Sequence, residues 1–117
     1  MQRPPLLPLL LLLLAGTAVA DPEAALTVIG DLGWLNGQAL ACGQMASSGQ
    51  AKALMIRHAP KTRRYGEAFE QQTSDAFLVQ GQEPDRCPAP DAFAARLSEL
   101  SARLQAVLPA VQPAGRQ

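Results

Sequence analysis

Asp21-Pro22-Glu23-Ala24-Ala25-Leu26-Thr27-Val28-Ile29-Gly30-Asp31-Leu32-Gly33-Trp34-Leu35-Asn36-Gly37-Gln38-Ala39-Leu40-Ala41-Cys42-Gly43 carries an unbroken apolar stripe at helical spacing. Its opening has the chemistry of a helix start: Asp21 as a cap whose carboxylate can accept from free amides, Pro22 at the first helical position, and Glu23 beside the positive end of the dipole. Ala25, Val28, Leu32, Leu35, Ala39 and Cys42 then recur at steps of three and four, which places them on one face of a helix and puts Cys42 on the buried side. Gly43 is suited to end it. Gly30, Gly33 and Gly37 each weaken a helix interior by about 1 kcal/mol relative to alanine. Their presence calls for the close approach of another helix, or for a bend near Trp34. Asn36, polar in apolar surroundings, is expected to hydrogen-bond inside the fold rather than at a partner seam, because buried polar groups are normally satisfied.

Downstream, Ser47-Ser48-Gly49-Gln50 matches a capping box, and predicts a second helix from there to about His58, stopped by Pro60. The consecutive Leu54, Met55 and Ile56 leave a buried strand open, while Ala51, Lys52 and Ala53 favour helix. A third helix is predicted over 64–80, with Tyr65, Ala68, Phe69, Gln72, Ala76 and Phe77 sharing a face and Gly81 as its stop. Residues 81–90 hold Pro84, Pro88 and Pro90 and read as a loop. Asp91 is expected to cap a fourth helix, in which Phe93, Leu97, Leu100, Leu104 and Val107 repeat the stripe until Pro109. Four amphipathic helices predict a compact all-α bundle over 21–108, followed by a disordered tail at 109–117.

Upstream lies a segment with the three parts of a cleavable export signal. Arg3 gives the positive start, Leu6 to Leu14 is a leucine run broken only by Pro8, and Ala18-Val19-Ala20 is an A-x-A step, so cleavage after Ala20 is expected for residues 1–20. The run is short for a membrane span, which needs ~20 residues, although an uncleaved anchor is the alternative. Without Arg3 the chain carries nine Lys and Arg against ten Asp and Glu. That balance gives no general attraction to nucleic acid or to anionic membrane. The expected location is the periplasm or the extracellular space.

Export places Cys42 and Cys87 in an oxidising compartment, where one intramolecular pairing is available to them. A bridge across such a loop is worth roughly 4 kcal/mol in the chain-entropy model. Free thiols or an intermolecular bridge are the alternatives, and the lack of C-x-x-C spacing argues against redox catalysis. The layout is similar to that of small exported helical proteins with one disulfide, periplasmic acid-stress chaperones and some immunity proteins among them. The leader, Cys42, the Cys87-Pro88 step and a closing helix carry that likeness, and no functional residue follows from it.

Motifs for chemistry are sparse. The chain has no C-x-x-C-H for haem, no G-x-G-x-x-G after a strand and no G-x-S-x-G elbow. His58 is the single histidine, without an evident catalytic partner. The expectation is a protein that is not an enzyme and has no cofactor. Met45 and Met55 beside His58 would be the material of a soft metal site, the basis of a metal-carrier reading. The most unusual local feature is Arg57-His58-Ala59-Pro60-Lys61-Thr62-Arg63-Arg64-Tyr65-Gly66, where four of those nine cations fall between positions 57 and 64. Guanidinium groups suit carboxylate or phosphate, Tyr65 offers a stacking face, and Pro60 restrains the connection. Arg57, His58, Lys61, Arg63, Arg64 and Tyr65 are therefore the candidate contact surface for a protein or anionic ligand. The bland alternative is a solvated loop paired with Glu67 and Glu70, and the runner-up function is a chaperone-like factor exposing apolar helix faces on acidification.

Overall fold

The computed structural model describes residues 21–110; the expected leader at 1–20 and most of the expected tail, 111–117, lie outside them. Four helices account for most of this span: α1 (Pro22–Ala41), α2 (Met45–His58), α3 (Arg63–Gly81) and α4 (Pro90–Val107), with a short 3-10 turn at Pro84–Arg86. There is no strand among the described residues. The all-α reading holds, and Leu54, Met55 and Ile56 are helical.

Helix α1 begins as its chemistry dictates, with the Asp21 side chain accepting from the Glu23 amide and Pro22 at the first position. It ends at a turn in which Gly43 takes a left-handed φ of 72°. That conformation costs glycine little and other residues more. The Gln44 amide then donates back to the Ala39 carbonyl at 2.8 Å, and α2 starts at once. Here the structure departs from the capping-box expectation. Gln44 is the N-cap, without a side-chain cap bond, and Ser47 and Ser48 lie inside α2. Asp91 likewise is not a cap: α4 opens at Pro90 behind Ala89, with Asp91 in its first turn. Gly81 is the last residue of α3 rather than a left-handed stop, and Gln82 follows as the C-cap.

The core is built around α1, which packs against all three other helices. Val28, Ile29, Leu32, Leu35 and Ala39 of α1 meet Phe69 of α3, Ala51 of α2, and Phe93, Leu97, Leu100 and Leu104 of α4. Fully burying a large aliphatic or aromatic side chain contributes about 1.5–3 kcal/mol, so this cluster supplies the main driving force. Helix α3 runs parallel to α1, because Leu26 lies against Arg64 and Ala68 while Gly37 lies against Thr73 and Ala76. Helix α4 runs antiparallel to α1, with Asp31 facing Arg96 and Arg103, and Ala24 facing Ala106 and Val107.

The glycines explain how tightly α1 and α3 meet. A Cβ at Gly33 would collide with the Phe69 carbonyl, and one at Gly37 with the Thr73 carbonyl and, at 2.8 Å, with Ala76 Cβ. Close approach of α3 thus accounts for Gly33 and Gly37, whereas a Cβ at Gly30 would meet only the Gln72 side chain, at 3.4 Å. The same register turns Phe77 outward, 47% exposed, beyond the Ala76 contact; the expectation that it shares the buried face fails by one helical step. Cys42 and Cys87 are joined, with sulfurs 2.04 Å apart, tying the end of α1 to the segment before α4.

A buried polar chain crosses the bundle. Ser48 Oγ donates to Asn36 Oδ1 at 2.7 Å, and Asn36 Nδ2 donates to Thr73 Oγ1 at 3.2 Å. Thr73 Oγ1 can pass its own hydrogen to the Phe69 carbonyl at 2.9 Å or the Gly33 carbonyl at 3.1 Å. Asn36 therefore works internally, linking α2 to α3 through α1.

Candidate functional site

The corner from α2 to α3 is held by its own side chains. Arg57 and His58 occupy the last turn of α2, where positive charge complements the dipole. Lys61 Nζ donates to the Ile56 carbonyl at 2.6 Å and to the Ala59 carbonyl at 3.2 Å, satisfying acceptors that the helix end leaves open. The Thr62 amide bonds the Pro60 carbonyl, which tightens the turn. His58 points inward and is buried; its Nδ1 lies 2.6 Å from the Leu108 carbonyl. A carbonyl can only accept, so Nδ1 carries the hydrogen, and the ring fastens the end of α4 to the end of α2.

The six expected contact residues therefore separate into two groups. His58, Lys61 and Tyr65 hold the corner: His58 through Leu108, Lys61 through the α2 carbonyls, and Tyr65 by packing half-buried against the core. Arg57, Arg63 and Arg64 are exposed. Arg63 stands in the first turn of α3, 3.9 Å from Glu67, in a pair with side chains 84% and 70% exposed. Such a pair is worth little, commonly under ~1 kcal/mol. Arg64 borders a shallow groove with Leu26, Glu67 and Gln71. The first turn of α3 contains no acidic residue and its N-cap, Thr62, makes no side-chain cap bond. Two arginines there oppose the dipole; among the described residues Glu67 pairs with Arg63, while Arg64 shares its groove with Glu67 and Glu70.

Arg57 faces a different feature, a cleft of about 370 Å³ between α2 and α4 lined also by Leu54, Leu97, Ser98 and Ser101. No motif signalled this cleft, since it joins faces more than thirty residues apart in sequence. A second unnoticed feature is visible in the sequence itself: no acidic residue occurs between Asp31 and Glu67, while Lys52, Arg57, Lys61, Arg63 and Arg64 do. Helix α2 and the corner are thus uniformly positive within a chain of near-zero net charge.

The material of the metal-carrier reading does not converge. Met45 and Met55 are ten residues apart on α2, about 15 Å along its axis. Met55 packs on the core and His58 is engaged with Leu108. Among the described residues there is no group of three or more His, Cys, Asp or Glu side chains placed to hold a metal ion, and no helix long and apolar enough to cross a membrane. What the site offers chemically is charge on a fixed frame: exposed guanidinium groups whose donors suit carboxylate or phosphate. Comparison of the chain with protein-family models, curated proteins and solved structures finds no match.

Proposed function

We propose that this chain is a small exported, non-enzymatic binding protein that docks an acidic segment of a protein partner on α2 and the α2–α3 corner. The observation that carries the reading is the acid-free run from Leu32 to Gly66, which holds five cations, four of them gathered between the last turn of α2 and the first turn of α3. Arg57, Arg63 and Arg64 reach solvent from a backbone already fixed by Lys61, Pro60 and the buried His58. A contact surface ordered in advance loses less entropy on binding, and clustered cations steer an acidic partner better than scattered ones.

The test uses the oxidised protein and immobilised poly-L-glutamate as an acidic probe. Wild-type protein is expected to be retained at low ionic strength and released as salt screens the contact. The Arg63→Ala, Arg64→Ala double variant should elute several-fold earlier, with its stability within ~1 kcal/mol of wild type because both side chains are exposed. Equal retention of the two proteins at low salt overturns the proposal. Release that ignores salt, combined with apolar-dye binding that rises on acidification, would favour the chaperone-like alternative, for which exposed Leu78 and Val79 would supply the surface.

A further inference from the structure

We infer that Asn36-Gly37 is a latent deamidation site, shut by the fold and opened by unfolding. Asparagine followed by glycine is the dipeptide in which the next backbone nitrogen reaches the side-chain amide with least hindrance, because residue 37 has no Cβ in the way. The Gly37 nitrogen loses its proton and attacks Asn36 Cγ. The new N–C bond closes a five-membered succinimide, the Cγ–Nδ2 bond breaks, and Nδ2 leaves as ammonia after taking up a proton. Water then opens the ring at either carbonyl. Residue 36 becomes aspartate, or isoaspartate with the main chain rerouted through its side-chain carbon.

Every atom this reaction needs is restrained in the native protein. Residues 36 and 37 sit inside α1, so the Gly37 amide hydrogen is held in the helical ladder. Asn36 is 1% exposed, with Oδ1 accepting from Ser48 and Nδ2 donating to Thr73. The Cγ therefore does not swing toward the Gly37 nitrogen, and water has no path to either carbonyl. The α3 backbone lies directly against Gly37. None of these restraints survives when α1 unravels.

The product does not fit back. A carboxylate at position 36 has lost the amide that donates to Thr73, and would bury charge answered at most by the Ser48 and Thr73 hydroxyls, Thr73 at the expense of its bond to a main-chain carbonyl. Isoaspartate adds a backbone carbon at the place where α1 and α3 leave no room even for a methyl group. Each excursion to the unfolded state therefore carries a chance of irreversible removal from the native population, independent of what the protein binds.

The experiment incubates the full oxidised chain at mildly alkaline pH, native and in concentrated urea, and follows residue 36 by peptide mass mapping with isoaspartate detection. Conversion in urea should outpace native conversion by roughly two orders of magnitude, since only opened molecules react. The Gly37→Ala variant, assayed only in urea so that its folding is irrelevant, should convert several-fold more slowly than wild type. Material converted in urea should fail to regain the wild-type melting curve after dilution, and Asn36→Asp should melt lower than wild type. Equal native and urea rates, an unchanged rate for Gly37→Ala, or full recovery of converted chains would each overturn the inference.

Discussion

Substituting Gly37 by alanine puts a methyl group where the α1 and α3 backbones meet. An ideal Cβ there would lie 2.8 Å from Ala76 Cβ and 2.9 Å from the Phe77 nitrogen, and against the Thr73 carbonyl. Carbon contacts settle at ~3.5–4.0 Å, and most of these neighbours are main-chain atoms of α3, so the helix itself must retreat. Overpacking of this kind costs about 1–3 kcal/mol, and immovable neighbours put it at the upper end. Retreat also stretches the 3.2 Å bond from Asn36 to Thr73, and a buried group left unsatisfied adds ~1 kcal/mol or more. Against this stands the helix-propensity gain of about 1 kcal/mol. The net expectation is a loss of about 3 kcal/mol, and a Tm lower by roughly 15 °C in a domain of this size. Gly49→Ala is the internal control, because a Cβ at Gly49 meets nothing within 4 Å and should stabilise α2 by about 0.5–1 kcal/mol. Urea and thermal melts of both variants are the assay. A Gly37→Ala protein as stable as Gly49→Ala would refute the close-contact account of the α1–α3 pair.

Two further expectations follow from the frame that holds the corner and the helix ends. Replacing both Cys42 and Cys87 by alanine should lower stability by roughly 4 kcal/mol, the chain-entropy value for a loop of this length; an unchanged urea midpoint would show that the bridge contributes nothing. His58→Ala leaves the Leu108 carbonyl without its donor and opens a cavity, so a loss of about 3 kcal/mol is expected, with faster amide exchange at the end of α4. Wild-type exchange there would show that the His58–Leu108 bond does not hold that end.

Much of the helical frame was legible in the residues, because each helix states its own buried face. The stripe from Ala25 to Cys42 is self-contained, and the glycines on the same helix already demanded a close neighbour. What failed were decisions that depend on partners distant in sequence. Ser47-Ser48-Gly49-Gln50 has the pattern of a cap, yet the Gly43 turn starts α2 earlier and Ser48 is committed to Asn36, twelve residues upstream. Phe77 looked buried because helical spacing fixes a face only to within about one residue step of 100°, and Ala76 is the residue that meets Gly37. In the basic segment the density of cations was visible but their duties were not. Lys61 closes α2 through carbonyls two and five residues back, while His58 finds a carbonyl fifty residues ahead. Backbone acceptors leave no mark in a sequence, so those two side chains could not be separated from Arg57, Arg63 and Arg64 by inspection.

The bridge between Cys42 and Cys87 divides the chain into a covalent ring and two arms. Helices α2 and α3 belong to the ring; α1 and α4 leave it from neighbouring points and lie antiparallel. Tension applied at the two ends of the chain would load the α1–α4 seam as a zipper, opened one rung at a time from the side away from the sulfurs. The Asp31–Arg103 pair and the Val28, Leu32, Leu100 and Leu104 layer form part of the resistance along that seam. Once the two arms are parted, the ring closed between Cys42 and Cys87 transmits the load through sulfur, and a length of roughly 150 Å of backbone stays hidden from the pull. The corner between α2 and α3 would feel the pull only through the bond from His58 to the Leu108 carbonyl, and once that bond parts it is shielded with the rest of the ring.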